Sequence, residues 1–312
     1  MTLVADGPRR AFTDDELADL ALGPRAQVEA ALASGRPEDV RLAVEAIERD
    51  LGGQIDRYTH WISTLFAFVG ERHGAPGSAA AIHATRSLFA AHPDVGEPGP
   101  TLPEPVADEV AAAAAEGDVA AALGVVDRSL ARWRTLVDLY RDWISALLTD
   151  VYRRHGADEL EAAHRRVGEA TMRNLTAAVD GPFKDQASGL VRLLTAHFSE
   201  VELHEDDDKL TIVQDPCGTC GRQVAQGRHQ PPLDLAVVTD EHLTTWGRGA
   251  TTVYRTHVPV WHVALAGEAL GGPWPVNQCP HGEAAGPCTI LLYKDPRNPD
   301  ALADVPGPTR LA

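Results

Sequence analysis

Two stretches of this chain repeat each other, and that repeat narrows the possible folds more than any other feature. "YTHWISTLFAFVGERHG" (58–74) aligns with "YRDWISALLTDVYRRHG" (140–156) at an offset of 82 residues. The alignment pairs Tyr58 with Tyr140, Trp61 with Trp143, Ser63 with Ser145, Leu65 with Leu147, His73 with His155 and Gly74 with Gly156. Gly35 and Gly117 fall in the same register upstream. The segments 38–73 and 119–155 are rich in Ala, Leu, Arg and Glu, with apolar residues at helical spacing. A helical unit present twice, each copy burying its apolar face against the other, predicts a pseudo-symmetric bundle. The bundle should occupy 1–196, with copies at 31–74 and 113–156. Thr13 and Glu16 are placed to form a capping box at its first helix, and the Pro/Gly-rich segment 92–106 reads as a surface connection.

Within the repeat, Trp61, Leu65, Phe68 and Arg72 form one helical stripe, matched by Trp143, Leu147, Val151 and His155. The plainer reading is a core face ended by a left-handed glycine, with His73 and His155 against the last carbonyls. A paired-histidine ligand site is the sharper alternative. His60 of the first copy is replaced by Asp142 in the second.

After residue 196 the texture changes. "VELHEDDDKLTIVQD" alternates on both sides of an acidic turn and predicts a β-hairpin closed by Asp206–Asp208. "LDLAVVT", "TTVYRTHVPVWHVAL" and "TILLYKD" are further strand-like runs among Pro and Gly. The expected fold class is therefore α+β: a duplicated, mainly helical bundle, then a smaller α+β domain over 197–312.

All four cysteines lie in that second part, as "DPCGTCGR" (215–222) and "CPHGEAAGPC" (279–288). No run of the roughly 18–20 apolar residues that span a bilayer occurs, and the N-terminal stretch lacks a signal-peptide pattern, so a reducing cytoplasm is expected. There, two close cysteine pairs point to metal or redox chemistry. Cys217, Cys220, Cys279 and Cys288 can complete a tetrahedron around Zn²⁺, and His281 is close enough to replace one sulfur. Gly218 and Gly221 would let the turn curl and offer N–H groups to the thiolates. The rival is thiol redox catalysis at Cys217/Cys220, which wants a helix after the motif. "GRQVAQGRHQPP" reads as a poor one. A net charge of −17 turns nucleic acid and anionic membranes away as partners.

Other polar residues gather in the same half. Arg222 is a candidate for an anionic ligand or for neutralising the thiolates, with a salt bridge to the acidic surface as the plainer role. His257, His262 and Glu268 are candidates for acid/base work or a second metal site. As a strand, 256–262 would send His257 and His262 to opposite faces; a helix or a bend at Pro259 would change that. No nucleophile elbow, phosphate loop or dinucleotide fingerprint is visible.

"DWISALLTDVYRRHG", "DPCGTCGR" and "CPHGEAAGPC" together resemble a set of bacterial proteins with a helical N-terminal half and a C-terminal DPCG segment. More remotely, "VELHEDDDKLTIVQDPC" with a late cysteine pair looks like the V4R and aminothiazoline-carboxylate-hydrolase-type domains, over about 190–295. That resemblance implies an α+β small-molecule module, with Cys217, Cys220, Cys279 and Cys288 as metal ligands and ring-opening hydrolysis among the activities. The leading expectation is a zinc-binding enzyme acting on a small molecule, by a hydrolytic or ring-opening step of specialised metabolism. Arg222, His257, His262 and Glu268 would handle the substrate in a pocket between the halves. The alternatives are a ligand-binding or partner-docking protein with a purely structural zinc, and the thiol redox protein.

Overall fold

The computed structural model of the chain describes residues 10–93, 101–179, 181–280, 282, 286–295 and 297–307, so His281 and the middle of the 92–106 connection, 94–100, lie outside the described residues. Seven helices come first: α1 (Asp14–Leu20), α2 (Pro24–Ala33), α3 (Pro37–Ala91), α4 (Ala107–Ala115), α5 (Val119–His155), α6 (Ala157–Val179) and α7 (Phe183–Ala196). Thr13 caps α1, and both halves of its capping box with Glu16 are formed. Among the described residues no helix is long and apolar enough to cross a membrane.

Helices α3 and α5 lie side by side as the axis of the bundle. The matched glycines interrupt both lines in the same way. Gly74 breaks α3 at φ 64°, ψ −153°, with Pro76 in the next turn, and Gly156 separates α5 from α6 at φ 84°, ψ −172°. The sequence led us to expect left-handed helical caps. The chain instead takes positive φ with extended ψ, a region open essentially to glycine alone. His73 and His155 are also not on the last carbonyls: their rings stack on each other, 3.7 Å apart and 1° from parallel. His73 Nε2 lies 3.1 Å from Glu159.

The C-terminal part is an antiparallel sheet with short helices around it. Strands β1 (Val201–Glu205) and β2 (Lys209–Gln214) form the expected hairpin, and Asp206 ties its turn by accepting the N–H groups of Asp208 and Lys209. A short helix α8 (Cys220–Ala225) follows, then a minimal pair β3 (Val237–Val238) and β4 (Thr251–Thr252). Strands β5 (Val276–Gln278) and β6 (Cys288–Tyr293) complete a sheet of order β1-β2-β6-β5, and α11 (Pro299–Ala303) is the last helix among the described residues.

Two sequence readings are corrected here. "TTVYRTHVPVWHVAL" is strand only at Thr251–Thr252. From Val253 the chain is helical as far as Leu270, with a changing pitch: 3-10 over Val253–Thr256, α over His257–Pro259 (α9), π over Val260–Leu265 and α again over Ala266–Leu270 (α10). "LDLAVVT" likewise contributes only two strand residues. The apolar core is shared between the two parts, since one buried cluster runs from Val28 through Leu65, Leu148 and Val167 to Trp246, Val260 and Val305.

Replacing either break glycine puts a Cβ into a disallowed backbone. Gly74→Ala and Gly156→Ala are each expected to lower the denaturant-unfolding free energy by about 1–3 kcal/mol, with Gly70→Ala, on a helical backbone, as the internal reference.

Candidate functional site

Strand register gathers the thiols. Gln214, the last residue of β2, pairs with Cys288, the first of β6, and Gln278, the last of β5, pairs with Thr289 beside it. Cys217 follows β2 by three residues and Cys279 follows β5 by one, so these two and Cys288 meet at the same end of the sheet. The turn 217–220 then brings Cys220 back over them. Cys217 and Cys220 Sγ are 3.8 Å apart, Cys279 and Cys288 Sγ 3.2 Å. Side-chain contacts from Cys217 to Cys288 and from Cys220 to Cys279 close the ring. All four are free thiols and buried.

The turn fits only because residue 218 is glycine: a Cβ there would stand 2.1 Å from the His197 carbonyl oxygen and 2.6 Å from the Ser199 nitrogen. Its N–H goes to Ser199 Oγ (2.9 Å), not to a sulfur. The sequence after Cys220 does form a helix, α8, though it has only six residues.

The ring has unequal members. Hydrogen bonds from Cys217 and Cys279 drive the Cys220 thiol well below the ordinary range, and the Arg255 guanidinium adds to this. In return the contact with Cys220 raises Cys217 and Cys279, and contacts with Cys217 and Cys279 raise Cys288. A Zn²⁺ with four sulfurs at 2.3 Å needs S···S edges of about 3.8 Å. The Cys217–Cys220 edge has that length and the Cys279–Cys288 edge is shorter. As they stand, no group of three or more His, Cys, Asp or Glu among the described residues could hold a metal ion. The second pair must part by about half an ångström for the four sulfurs to surround one.

Arg255 is the residue that sequence reasoning missed. It is 1% exposed, its Nε donates to Cys220 Sγ (3.4 Å), and its Nη1 donates to the carbonyls of Pro280 and Gly282 (3.0 Å to the latter). Its Nη2 is buried with no hydrogen-bond partner among the described residues. The available signal was an arginine inside the apolar run "TTVYRTHVPVW": a charge there requires a buried partner.

Arg222, the arginine the sequence favoured, is committed elsewhere. Its Nε and Nη2 donate to Asp138 at 2.9 and 2.6 Å, and its Nη1 donates to the His197 carbonyl. It belongs to a buried charge network that joins α5 to the segment after the thiols. Arg141, 0% exposed, donates to Asp138 and Asp142 and to the side chain of Gln226. Asp142 also receives Gln223 Nε2 (2.8 Å), and it faces His92 and Arg228, each at 3.2 Å. Burial alone would raise the Asp142 carboxyl, but Arg141, His92 and Gln223 hold it down at about 2.

Above the thiols, the seam between bundle and sheet is filled by uncharged rings. Tyr58 and Trp61 come from α3, His164 from α6, His197 from the end of α7, and Tyr254, His257, Trp261 and His262 from the helical run 253–270. Trp61 lies 4.7 Å from Trp261, 5.1 Å from His257 and 5.6 Å from Tyr254, measured between centroids. The Tyr58 and Tyr254 hydroxyls share a 3.1 Å hydrogen bond, and burial raises both phenols, Tyr58 to about 12. Burial pushes His257 and His262 down to about 4 and His197 to about 3, and it holds His164 far below the ordinary value.

His257 and His262 come together, with centroids 6.3 Å apart. Glu268 does not join them: it is exposed on α10 and pairs with Arg165 at 2.8 Å. His60 is exposed on α3. No protein-family model, curated protein or solved structure matches the chain.

The Asp142 carboxyl lies lower in the folded protein than in the unfolded chain, so its contribution to stability is present above pH about 4. It is lost as the pH falls toward about 2. Asp142→Ala removes from the interior a carboxylate that Arg141 donates to and Arg228 faces, and is expected to cost about 3–5 kcal/mol at pH 7. Urea unfolding of the variant and the parent should differ most at neutral pH and converge in acid.

Proposed function

We propose that this chain is a zinc-binding enzyme acting on a small molecule, in which the zinc is structural and His257 and His262 carry the chemistry. The observation behind the first part is the closed ring of four buried sulfurs drawn from two loops about sixty residues apart. Cys217, Cys220, Cys279 and Cys288 together hold one Zn²⁺ and leave it no open position, as in structural sites. Arg255 offsets part of the −2 charge of such a centre. Held by these four residues, such an ion would tie together the ends of β2, β5 and β6 and so stabilise the α+β part. We also read the matched break glycines and the stacked His73–His155 pair as the junction of two copies of one helical unit.

For the chemistry, both imidazoles are neutral at pH 7 and each binds a backbone carbonyl through Nδ1: His257 to Tyr254 (2.6 Å) and His262 to Trp274 (3.3 Å). Nδ1 therefore keeps the proton, and Nε2 is left as a base. In a hydrolytic step one Nε2 takes a proton from water as its oxygen attacks a carbonyl carbon, and returns that proton to the leaving group. The hydrolytic class rests on the resemblance to ring-opening hydrolase domains, and the reduced thiols fit a cytoplasmic protein.

A ligand-binding protein with a purely structural zinc is the second reading. It is favoured by the commitment of Arg222 to Asp138 and of Glu268 to Arg165. Thiol redox catalysis is disfavoured by the burial of Cys217 and Cys220, since an attacking thiolate needs access.

Purified, reduced protein is expected to carry one zinc per chain at the thiols by mass spectrometry, with all four thiols unreactive until a chelator removes it; Cys217→Ser/Cys279→Ser should retain none. A folded, metal-free parent overturns the zinc reading. Against a panel of lactones, lactams and esters, His257→Ala and His262→Ala are each expected to lower turnover about 10²–10⁴-fold with unchanged circular dichroism. Full activity in both variants leaves the binding-protein reading.

A further inference from the structure

The spacing of His257 and His262 is unusual for two side chains whose rings lie 6.3 Å apart between centroids. In an α-helix, residues five apart diverge by about 140°. Here the pitch changes between the two residues, from α over His257–Pro259 to π over Val260–Leu265, and a uniform α-helix does not describe the segment that joins them. With its rings this close, the His-x-x-x-x-His pair can be compared with the i, i+4 histidine pair by which an α-helix binds zinc. Single π turns are rare and concentrate at functional sites.

The surroundings hold this pitch in place. Trp261 Nε1 donates to the His164 carbonyl (2.8 Å), and His164 Nε2 and Thr256 Oγ1 lie 2.8 Å apart, so α6 grips the run at two points. Gly168, one turn beyond His164, allows the contact: a Cβ there would stand 2.6 Å from Leu265 Cδ1 and 2.8 Å from Trp261 Nε1. On the other side, the Trp274 N–H donates to the His262 carbonyl (2.9 Å), while the His262 ring returns its Nδ1 to the Trp274 carbonyl. Both histidines therefore have one nitrogen tied to a backbone carbonyl, the arrangement that orients an imidazole metal ligand and raises its basicity.

We propose that His257 and His262 form a two-nitrogen site for a borderline divalent ion, Zn²⁺ or a first-row neighbour, separate from the four thiols. Imidazole suits these ions. Two rings bound through nitrogen at 2.0–2.1 Å to one tetrahedral ion have centroids about 5 Å apart, so the observed 6.3 Å closes with about an ångström of side-chain movement. With only two protein ligands the ion keeps positions for water and a substrate carbonyl, which is the condition for catalysis as opposed to clamping. The proposal takes the imidazole pair from the preceding reading and gives it an ion; it does not depend on an ion at the thiols.

The test uses the reduced full-length chain as purified, titrated with Zn²⁺ alone. Long-range ¹H–¹⁵N spectra should show the imidazole nitrogens of His257 and His262 shifting together with added zinc. Calorimetry should show the added ion bound at least tenfold more weakly by His257→Ala and by His262→Ala, while metal already retained at the thiols stays the same by mass spectrometry. Imidazole signals that ignore added zinc, or variants that bind it as the parent does, overturn the proposal. If a variant does not fold, the spectra of the unmodified chain decide. Cys217→Ser reports on the thiol centre alone, so the two readings fail separately.

Discussion

Burying ions is costly, and this chain buries four of them in one place, Asp138, Arg141, Asp142 and Arg228, with Arg222 half-buried beside them. Asp138, Arg141 and Asp142 occupy a single turn of α5 inside the molecule, and that turn is tolerable only when 219–228 supplies Arg222, Gln223, Gln226 and Arg228 to complete it. The same ten-residue segment begins at the thiol turn. Docking the charges and seating the thiols are consequently one event. A chain with the α5 turn folded but 219–228 undocked would hold unmatched charges in a low-dielectric interior, which disfavours partial structures.

That coupling explains where sequence reasoning stopped. Helical periodicity, the capping box at Thr13, the hairpin around Asp206–Asp208 and the special role of Gly74 and Gly156 all depend on neighbours a few residues away, and these features were legible. The partners of Asp142 are not local: Gln223 and Arg228 lie more than eighty residues along the chain. Its exchange with His60 in the repeat therefore has no local explanation: residue 142 sits at a buried junction that needs an acid, whereas residue 60 is an exposed ring. For the same reason the sequence leaves Arg222 open to a ligand, to the thiolates or to a salt bridge, since it does not place Asp138 opposite it.

Strand register is an intermediate case. The four cysteines alone suggest a common centre, but the pairing of Gln214 with Cys288 and of Gln278 with Thr289 is what brings three of them to one end of the sheet. The sequence showed the strands and the cysteines without showing that pairing. It also could not anticipate Arg255, whose guanidinium reaches the sulfurs from a segment that reads as a strand and folds as a helix.

The helical run 253–270 shows how local propensity yields to packing. Val, Thr, Tyr and Trp at close spacing favour a strand, yet β3 and β4 offer only two paired residues each, and little sheet is there to extend. The alternative is to lie against α6, where Gly168 removes the steric bar and the His164 carbonyl accepts the Trp261 indole N–H. Meeting α6 at those fixed points is easier with a widened turn than with a uniform α pitch, so the π segment follows from the contact. His262 lies in that widened segment and His257 in the α turn before it, and burial among uncharged rings keeps both neutral. The charged junction and the neutral seam thus abut, with Arg255 and Tyr254 as adjacent residues between them. One side fixes how the two parts of the chain sit together; the other is left with basic nitrogens that the fold itself does not use.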